Sequence, residues 1–408
     1  MKRKDLDRLD ADLSQYLDGL SSFLPRRDQR RALGWYVTGL LLDGERKSIE
    51  PIAGRLVDDP AEREAMRQRL QQIVSVARWG EEALFKALAL KLDSELPAIE
   101  ALVVDDTGFP KKGKFSVGVA RQYSGTLGRR DNCQVAVSLH LAGEQGSGCI
   151  GLRLFLPESW TDDPARCRAA GVPEGTEHRP KWALALEQLG QALAHGVRKH
   201  VVLADAGYGD ATEFRDGLED FGLRYLVGVS GAHTVYPPGT VPCVPAARGA
   251  RGRPPRRQVA SRDPLAINAV AKDMDYRLVR WRTGSRGVQS SRFASARVYS
   301  AERRTKGRVV TEPLWLLCEW PRDDAEPKKF YFSNMPVSTS LKTLVRFAKL
   351  RWRVERDYQE MKQEIGLDHF EGRTWRGFHH HAALCAVAHA FLALQRALFP
   401  PEDQVDAA

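Results

Sequence analysis

At residue 99 the spacing of apolar residues changes from a helical to a strand period, and that change limits the folds open to the chain. Before it, LSQYLDGLSSFL, QRRALGWYVTGLLL, SIEPIAGRLV and EAMRQRLQQIVSVARWGEEALFKALALKL carry apolar residues at helical spacing, punctuated by Pro51, Pro60 and Pro97. SIEPIAGRLV followed by another helix fits a helix-turn-helix and fits a plain helical bundle equally well. After it, IEALVVDD, SVGVARQYS, CQVAVSLHLAG and CIGLRLFLP read as successive strands. A helix (KWALALEQLGQALAHGV), a strand (HVVLADAG), a helix (TEFRDGLEDFG) and a strand (RYLVGV) then alternate. Hairpin-like strands followed by alternation predict an α/β sheet that is partly antiparallel and then crosses over through helices.

That order suits a ribonuclease H-like core. Residues 231–335 interrupt it with a Pro-, Gly- and Arg-rich stretch, YPPGTVPCVPAARGARGRPPRRQVASR, and then YRLVRWRT, RFASARVYS, GRVVTEPLWLLCEW and KKFYFSN, which alternate apolar and polar residues. The expected organisation is an α/β protein with an all-helical N-terminal DNA-binding domain (1–98), a ribonuclease H-like core (99–230), a β-rich insertion entered through a basic loop (231–335), and core helices with a C-terminal helix (336–408). A length of 408 residues accommodates this.

Charge narrows the partners. Lys and Arg total 62 against 52 Asp and Glu, a net charge of +10, which points to a polyanion. The six cysteines form no C-x-x-C pair, which argues against a zinc site and against a secreted disulfide framework. MKRKDLDRLDADL lacks the apolar stretch of a signal peptide, and AALCAVAHAFLAL is too short for a membrane span and reads as a packed helix. The expected location is the cytoplasm, in association with the nucleoid.

The helix-forming stretch RWRVERDYQEMKQEIG, residues 351–366, mixes acids and bases. At about 100° per residue, Phe347, Leu350, Val354, Tyr358, Met361 and Ile365 form one apolar stripe that should pack on the sheet. Arg351, Glu355 and Lys362 fall within about 40° of one another along its border. Arg353, Arg356, Asp357, Glu360 and Glu364 point elsewhere and read as a solvated face. Of the four acids, Glu355 alone sits between two cations beside the buried surface. Taken by itself this is an ordinary i,i+4 ion pair of Arg351 with Glu355.

Two strand ends supply further carboxylates: Asp105 and Asp106 close the apolar run ALVV, and Asp205 closes HVVLA. Ligands bind at such strand ends in open α/β sheets. Carboxylates from two strands and a helix can hold two divalent ions about 3.5–4 Å apart around a phosphodiester, and Mg²⁺, which keeps waters and accepts few protein carboxylates, suits such oxygen donors. Arg351 and Lys362 would then hold phosphates.

VVDDTGFPKKG, LADAGYG and the Arg351-x3-Glu355-x6-Lys362 block resemble the three catalytic blocks of bacterial insertion-sequence DDE transposases, in the branch with a β-rich insertion between the second Asp and the Glu. The resemblance extends over most of the chain, including LPESWTDDPARCRAAGVP and the helical N-terminus. One position departs from the pattern: the Tyr expected three residues before the Arg is Ala348, with Phe347 adjacent. The resemblance implies Asp106, Asp205 and Glu355 as catalytic metal ligands. The family's first Asp precedes Thr, which points to Asp106, while Asp105 stays open; strand alternation sends the two to opposite faces, so one of them is the ligand. It further implies two Mg²⁺ ions, with Mn²⁺ as an alternative. Cleavage at element ends and transesterification into target DNA would follow, with terminal inverted repeats and target duplex bound by a homodimer and no nucleotide cofactor. Trp281, Trp315 and Trp320 are candidates for stacking on a flipped base or, as strand tryptophans, for the core.

Other signals carry less. GFPKKGK matches a G-x4-G-K phosphate loop, but Phe115 follows where Ser or Thr is needed and a strand is predicted in place of a helix. Lys111 and Lys112 read as contacts to the DNA backbone or as a solvated turn. Residues 241–262 contain six Arg and no acid; Arg251, Arg253, Arg256 and Arg257 there are expected to bind phosphate, with RGRPP as a possible minor-groove reader. FHHH, ending at His381, reads as phosphate or solvent contacts.

Overall fold

The computed structural model describes residues 3–243, 259–284, 287–301 and 312–399. It is a mixed α/β fold of two compact units, one formed by Met1–Lys199 with Trp352–Ala408 and the other by His200–Arg351.

The first unit begins with helices α1 (Arg3–Leu20), α2 (Arg27–Leu41), α3 (Ile49–Leu56), α4 (Pro60–Gln71) and α5 (Glu81–Glu95), with a π-helical turn at Gln72–Val76. Pro60 starts α4 at its first turn, where its missing N–H breaks no bond, and Asp59 caps it by accepting from Ala61 N. Strand β1 (Ile99–Pro110) pairs antiparallel with β3 (Arg129–Gly143), and β2 (Ala120–Ser124) and β4 (Ser147–Leu154) both pair with β3. Residues 115–119 do not extend β2 and no helix follows Lys114, so the phosphate-loop match lacks its helix N-terminus. Short helices α6 (Glu158–Thr161) and α7 (Pro164–Ala169) lead to α8 (Lys181–Ala194).

The unit closes through its last two helices, α13 (Trp352–Gln363) and α14 (Trp375–Leu398). Thr374 caps α14, and its Ala-rich sequence favours a helix whose small side chains allow close approach. Although α14 is long and apolar enough to cross a bilayer, it is buried along most of its length. Sequence texture sets residues 1–98 apart, yet in the structure they share a core with α14. Tyr16 donates to Val387 O at 2.8 Å, and Tyr36 bonds His381 Nδ1 at 2.8 Å.

Contrary to expectation, the histidines of FHHH contact neither solvent nor a phosphate-accessible surface. His379, His380 and His381 are each 1% exposed and turn to different partners. His379 Nε2 accepts from Leu154 N, and His380 lies between the carbonyls of Val74 and Trp79, stacked on the Trp79 ring. His381 sits between Tyr36 and Gly366 O. Successive helix positions point about 100° apart, so three adjacent histidines serve three neighbours and none faces solvent.

In the second unit, β5 (Val201–Ala204) runs parallel to β6 (Tyr225–Val229), connected through α9 (Ala206–Gly209) and α10 (Thr212–Asp220). The insertion continues this sheet. Its strands are β7 (Thr234–Tyr236), β8 (Pro242–Cys243), β9 (Val259–Ala260), β10 (Leu265–Ala266), β11 (Arg277–Gly284), β12 (Gly287–Ser300), β13 (Leu314–Trp320) and β14 (Lys329–Ser333). β14 adds to β6, β13 to β14 and β12 to β13, all antiparallel; β11 and β7 pair with β12, β10 with β7, and β8 with β9 as a separate ribbon. Helices α11 (Ile267–Lys272) and α12 (Leu341–Leu350) complete the unit.

Candidate active site

Strand alternation decides where the paired aspartates go. Asp105 lies opposite Ser138 and Asp106 opposite Val137 in the β1–β3 register, so their side chains leave by opposite faces. On one face Asp106 accepts from Lys181 Nζ at 2.9 Å, an ion pair with the first residue of α8. On the other face Ser138 Oγ meets the Tyr358 hydroxyl of α13 at 2.5 Å. Asp105 therefore faces α13 and Asp106 faces α8. Residues further along β1 keep the pattern: Phe109, on the Asp105 face, packs edge-on against Phe378 of α14.

Helix α13 lies along this strand end through one line of side chains. Tyr358 feels Asp105: burial first, then the Asp105 charge, push its hydroxyl well above the ordinary tyrosine range. One turn further, Lys362 Nζ donates to Gly108 O at 2.8 Å and Thr126 Oγ1 at 3.2 Å, over the Phe109 ring. Burial lowers its pKa. Glu355 precedes Tyr358 by three residues on the same line and is exposed. Asp105 and Glu355 thus come to one side of the sheet.

The rest of α13 departs from the expected solvated face. Asp357 is 3% exposed and Glu360 7%. Asp357 accepts from His140 Nδ1 at 2.7 Å and from Ser147 Oγ at 2.6 Å. Glu360 binds Arg356 at 2.7 Å, Arg396 of α14 at 2.5 Å and His389 at 3.3 Å. The helix is covered on two sides, by the sheet and by α14, so acids outside the apolar stripe are buried and need partners. His140 is drawn down by burial, but Cys149 and the Asp357 carboxylate outweigh this and raise it to about 10. In Asp357 the same contacts overcome burial and hold the carboxyl below its usual range.

The second unit carries Asp205 at the end of β5, where it caps α9 and accepts from Gly207 N at 2.9 Å. The glycines of this block have a steric cause. A side chain at Gly209 would strike Gly228 O, and one at Gly228 would strike the backbone at Asp205 and Ala206, so α9 rests directly on β6. The buried Arg215 donates to Gly209 O and ties down the same turn. Arg351 ends α12 in this unit and is half-buried.

Of the remaining expected contacts, Lys111 Nζ donates to Phe370 O at 3.1 Å, and burial lowers its pKa. Lys112 is exposed. Arg251, Arg253, Arg256 and Arg257 lie outside the described residues. Trp281, Trp315 and Trp320 are half-buried, with their indole N–H groups bonded to Gln289, Pro336 O and Asp324 O, as core-edge tryptophans are. Among the described residues no three His, Cys, Asp or Glu side chains gather into a ready-made metal cage. Asp105 and Glu355 nevertheless offer only oxygens, at least partly open to solvent, and that donor chemistry fits a hard divalent ion that keeps several waters.

The sequence places Tyr358 on the sheet-facing stripe but gives no sign of its hydroxyl contact, and Asp357, His140, Ser138 and Ser147 are not expected in this region. Two signals were present. Asp357 falls about 40° from Met361 on the apolar stripe, and His140 interrupts an apolar strand run, VSLHLAG.

Comparison with known proteins identifies the family. A family model described as DDE superfamily endonuclease matches residues 17–288, a span that includes Asp105, Asp106 and Asp205 and stops short of Glu355. The chain is also similar to a probable transposase for insertion sequence element IS701 from Microchaete diplosiphon, 27% identical over 228 residues. That alignment covers 55% of this chain and 55% of the relative, so the chain spans about half the length of the curated protein it matches.

Proposed function

The chain belongs to the DDE superfamily endonucleases, and from that premise we propose that it is a transposase, which cuts DNA at the ends of an insertion sequence and joins the freed 3'-hydroxyls to target DNA. In this reading the first catalytic carboxylate is Asp105, the alternative the resemblance left open, in place of the Asp106 to which it pointed, and it acts with Asp205 and Glu355 on a ribonuclease H-like core. The observation that carries it is the delivery of Asp105 and Glu355 to one side of the sheet while Asp106 is tied to Lys181 on the other. Asp106 then acts by holding α8 to the strand end.

Two divalent ions, Mg²⁺ or Mn²⁺, when bound supply activation of the attacking oxygen and neutralise charge on the leaving oxygen. The protein's part is to hold and orient. The three carboxylates provide the oxygen ligands. Lys362 braces α13 on β1 through Gly108 O and, since a carbonyl leaves its charge in place, still neutralises phosphate together with Lys111, Lys112, Arg351 and the basic stretch with Arg251, Arg253, Arg256 and Arg257. The DNA partners are terminal inverted repeats and a target duplex, bound by a homodimer in the nucleoid. The similarity to the probable IS701 transposase supports the joining step over cutting alone.

The test is strand cleavage and transfer by the purified protein on a plasmid carrying the DNA that flanks its gene, with Mg²⁺, beside Glu355→Gln and Asp205→Ala. Joined products that vanish in both variants are expected. Cutting without joining would reassign the chain as a nuclease, and binding without cutting as a DNA-binding protein with no catalysis.

A further inference from the structure

Four side chains beneath Glu355 form one hydrogen-bonded chain. Asp357 Oδ2 meets His140 Nδ1 at 2.7 Å, His140 Nε2 meets Ser138 Oγ at 3.0 Å, and Ser138 Oγ meets the Tyr358 hydroxyl at 2.5 Å. Ser147 holds the other Asp357 oxygen at 2.6 Å, and the Tyr358 ring stands edge-on to His140 at 5.5 Å. The chain begins and ends on α13 and passes through β3, with a branch to β4. Its third member, Ser138, is the residue opposite Asp105 in the register.

Burying a carboxylate and an imidazole here is not the most stable way to seat a helix. Apolar side chains of similar volume often do as well or better, because the attraction of a buried ion pair scarcely repays the desolvation of both groups. What directional bonds add is a single rotational setting. A helix with its side chains is about 10–12 Å across, so a turn of about 20° about its own axis moves a surface carboxylate by about 2 Å. Metal–ligand distances tolerate only about 0.2 Å. An apolar stripe alone permits such a turn with little penalty, whereas bonds of 2.5–3.0 Å to two strands do not.

We propose that the Asp357–His140–Ser138–Tyr358 chain is a positioning device: it fixes the rotation of α13 on β3 and so sets the approach of Glu355 to Asp105, without itself touching DNA or ion. The proposal rests on the carboxylate assignment above. It predicts that breaking the chain at its neutral end weakens divalent-ion binding while the fold survives. Outer partners of this kind are worth about 10–100-fold in metal affinity.

Tyr358→Phe removes the terminal hydroxyl and leaves the Asp357–His140–Ser138 part intact, so it avoids stranding a buried charge, whereas Ser138→Ala also takes the partner of His140 Nε2. The full-length protein, both single variants, their double, Ser138→Thr and Glu355→Gln are titrated with Mn²⁺ alone, reading the free-ion electron paramagnetic resonance signal, and their Tm values are recorded. The expected result is a half-saturating Mn²⁺ concentration raised about tenfold in each single variant and no further in the double, a near-native Tm in Tyr358→Phe, a lowered one in Ser138→Ala, and recovery of both readouts in Ser138→Thr. Unchanged Mn²⁺ binding in the single variants, additive losses in the double, or a fall in Tm with no change in binding would each overturn the proposal, provided Glu355→Gln weakens binding. If Glu355→Gln binds Mn²⁺ as the wild type does, the carboxylate assignment itself fails.

Discussion

Glu355 and Asp357 lie two residues apart on α13, one exposed and the other sealed between β3, β4 and α14. Asp357 and Glu360 have every requirement met by the protein: His140, Ser147, Arg356, Arg396 and His389 surround them. Glu355 is exposed, and Asp105, across on β1, is half-buried with one oxygen accepting from Asp106 N at 2.8 Å. A carboxylate satisfied from within stabilises or orients, whereas one left partly open can take a ligand. Within β1 the two aspartates are both half-buried and differ by face: Asp106 is tied to Lys181 of α8, and Asp105 faces α13.

The sharpest way to break this comparison is to neutralise the open acids. Glu355→Gln and Asp105→Asn should each lower the cleavage rate about a thousandfold or more while Tm stays near that of the wild type; rates in Mg²⁺ together with calorimetry check both halves. The sealed acid should behave oppositely. Asp357→Ala strands His140 in the interior and should cost about 3–5 kcal/mol of stability, measured by urea unfolding.

The same pair gives a pH dependence with a definite sign. His140 stands at about 10 in the fold against 6.5 ordinarily. Its contribution is fully present below about pH 6.5 and is lost as pH rises through about 10. Asp357 is depressed, so its contribution is present above the ordinary carboxylate range and is lost as pH falls. Tm should therefore fall by several degrees between about pH 6.5 and 10, and a His140→Gln variant should lose that alkaline limb. A flat profile in the wild type would show that His140 is not held charged.

Smaller effects refine the contrast. Asp106→Asn removes a partly exposed ion pair and should cost about 1 kcal/mol or less. Cleavage should stay within about tenfold of wild type; a loss as deep as that of Asp105→Asn would exchange the roles of the two residues. Lys112→Ala should leave Tm unchanged and reduce the slope of log affinity against log salt by about 1, read by DNA-binding titration at several salt concentrations.

Much of this was legible in the sequence, and the gaps have physical causes. Strand and helix periods located β1, β3, β4, β5, β6 and β11 to β14, because apolar spacing is local, and passed over the short β7 to β10 in the Pro- and Arg-rich stretch and beside it. The 100° rule separated Glu355 from its neighbours. It misplaced Asp357 and Glu360, since a helical wheel describes one buried stripe and α13 is covered on two sides. Net charge in a helix was read as solvation, although buried histidines and arginines were waiting on distant segments, His140 more than two hundred residues upstream. The three adjacent histidines misled for the same reason. The compact units, which divide at 199/200 and 351/352, depend on which remote segments share a core, and no local pattern records that.

The seating of α14 bears on how the protein is made. Residues 1–199 contribute helices and strands to a core whose central rod is not translated until 375–398. At about 5–20 residues per second, the ribosome leaves that half-built core without its rod for on the order of ten to thirty seconds. Through this interval the apolar sides of α2, α5 and β4 stay uncovered on the nascent chain, which makes chaperone capture during synthesis a natural need of this architecture.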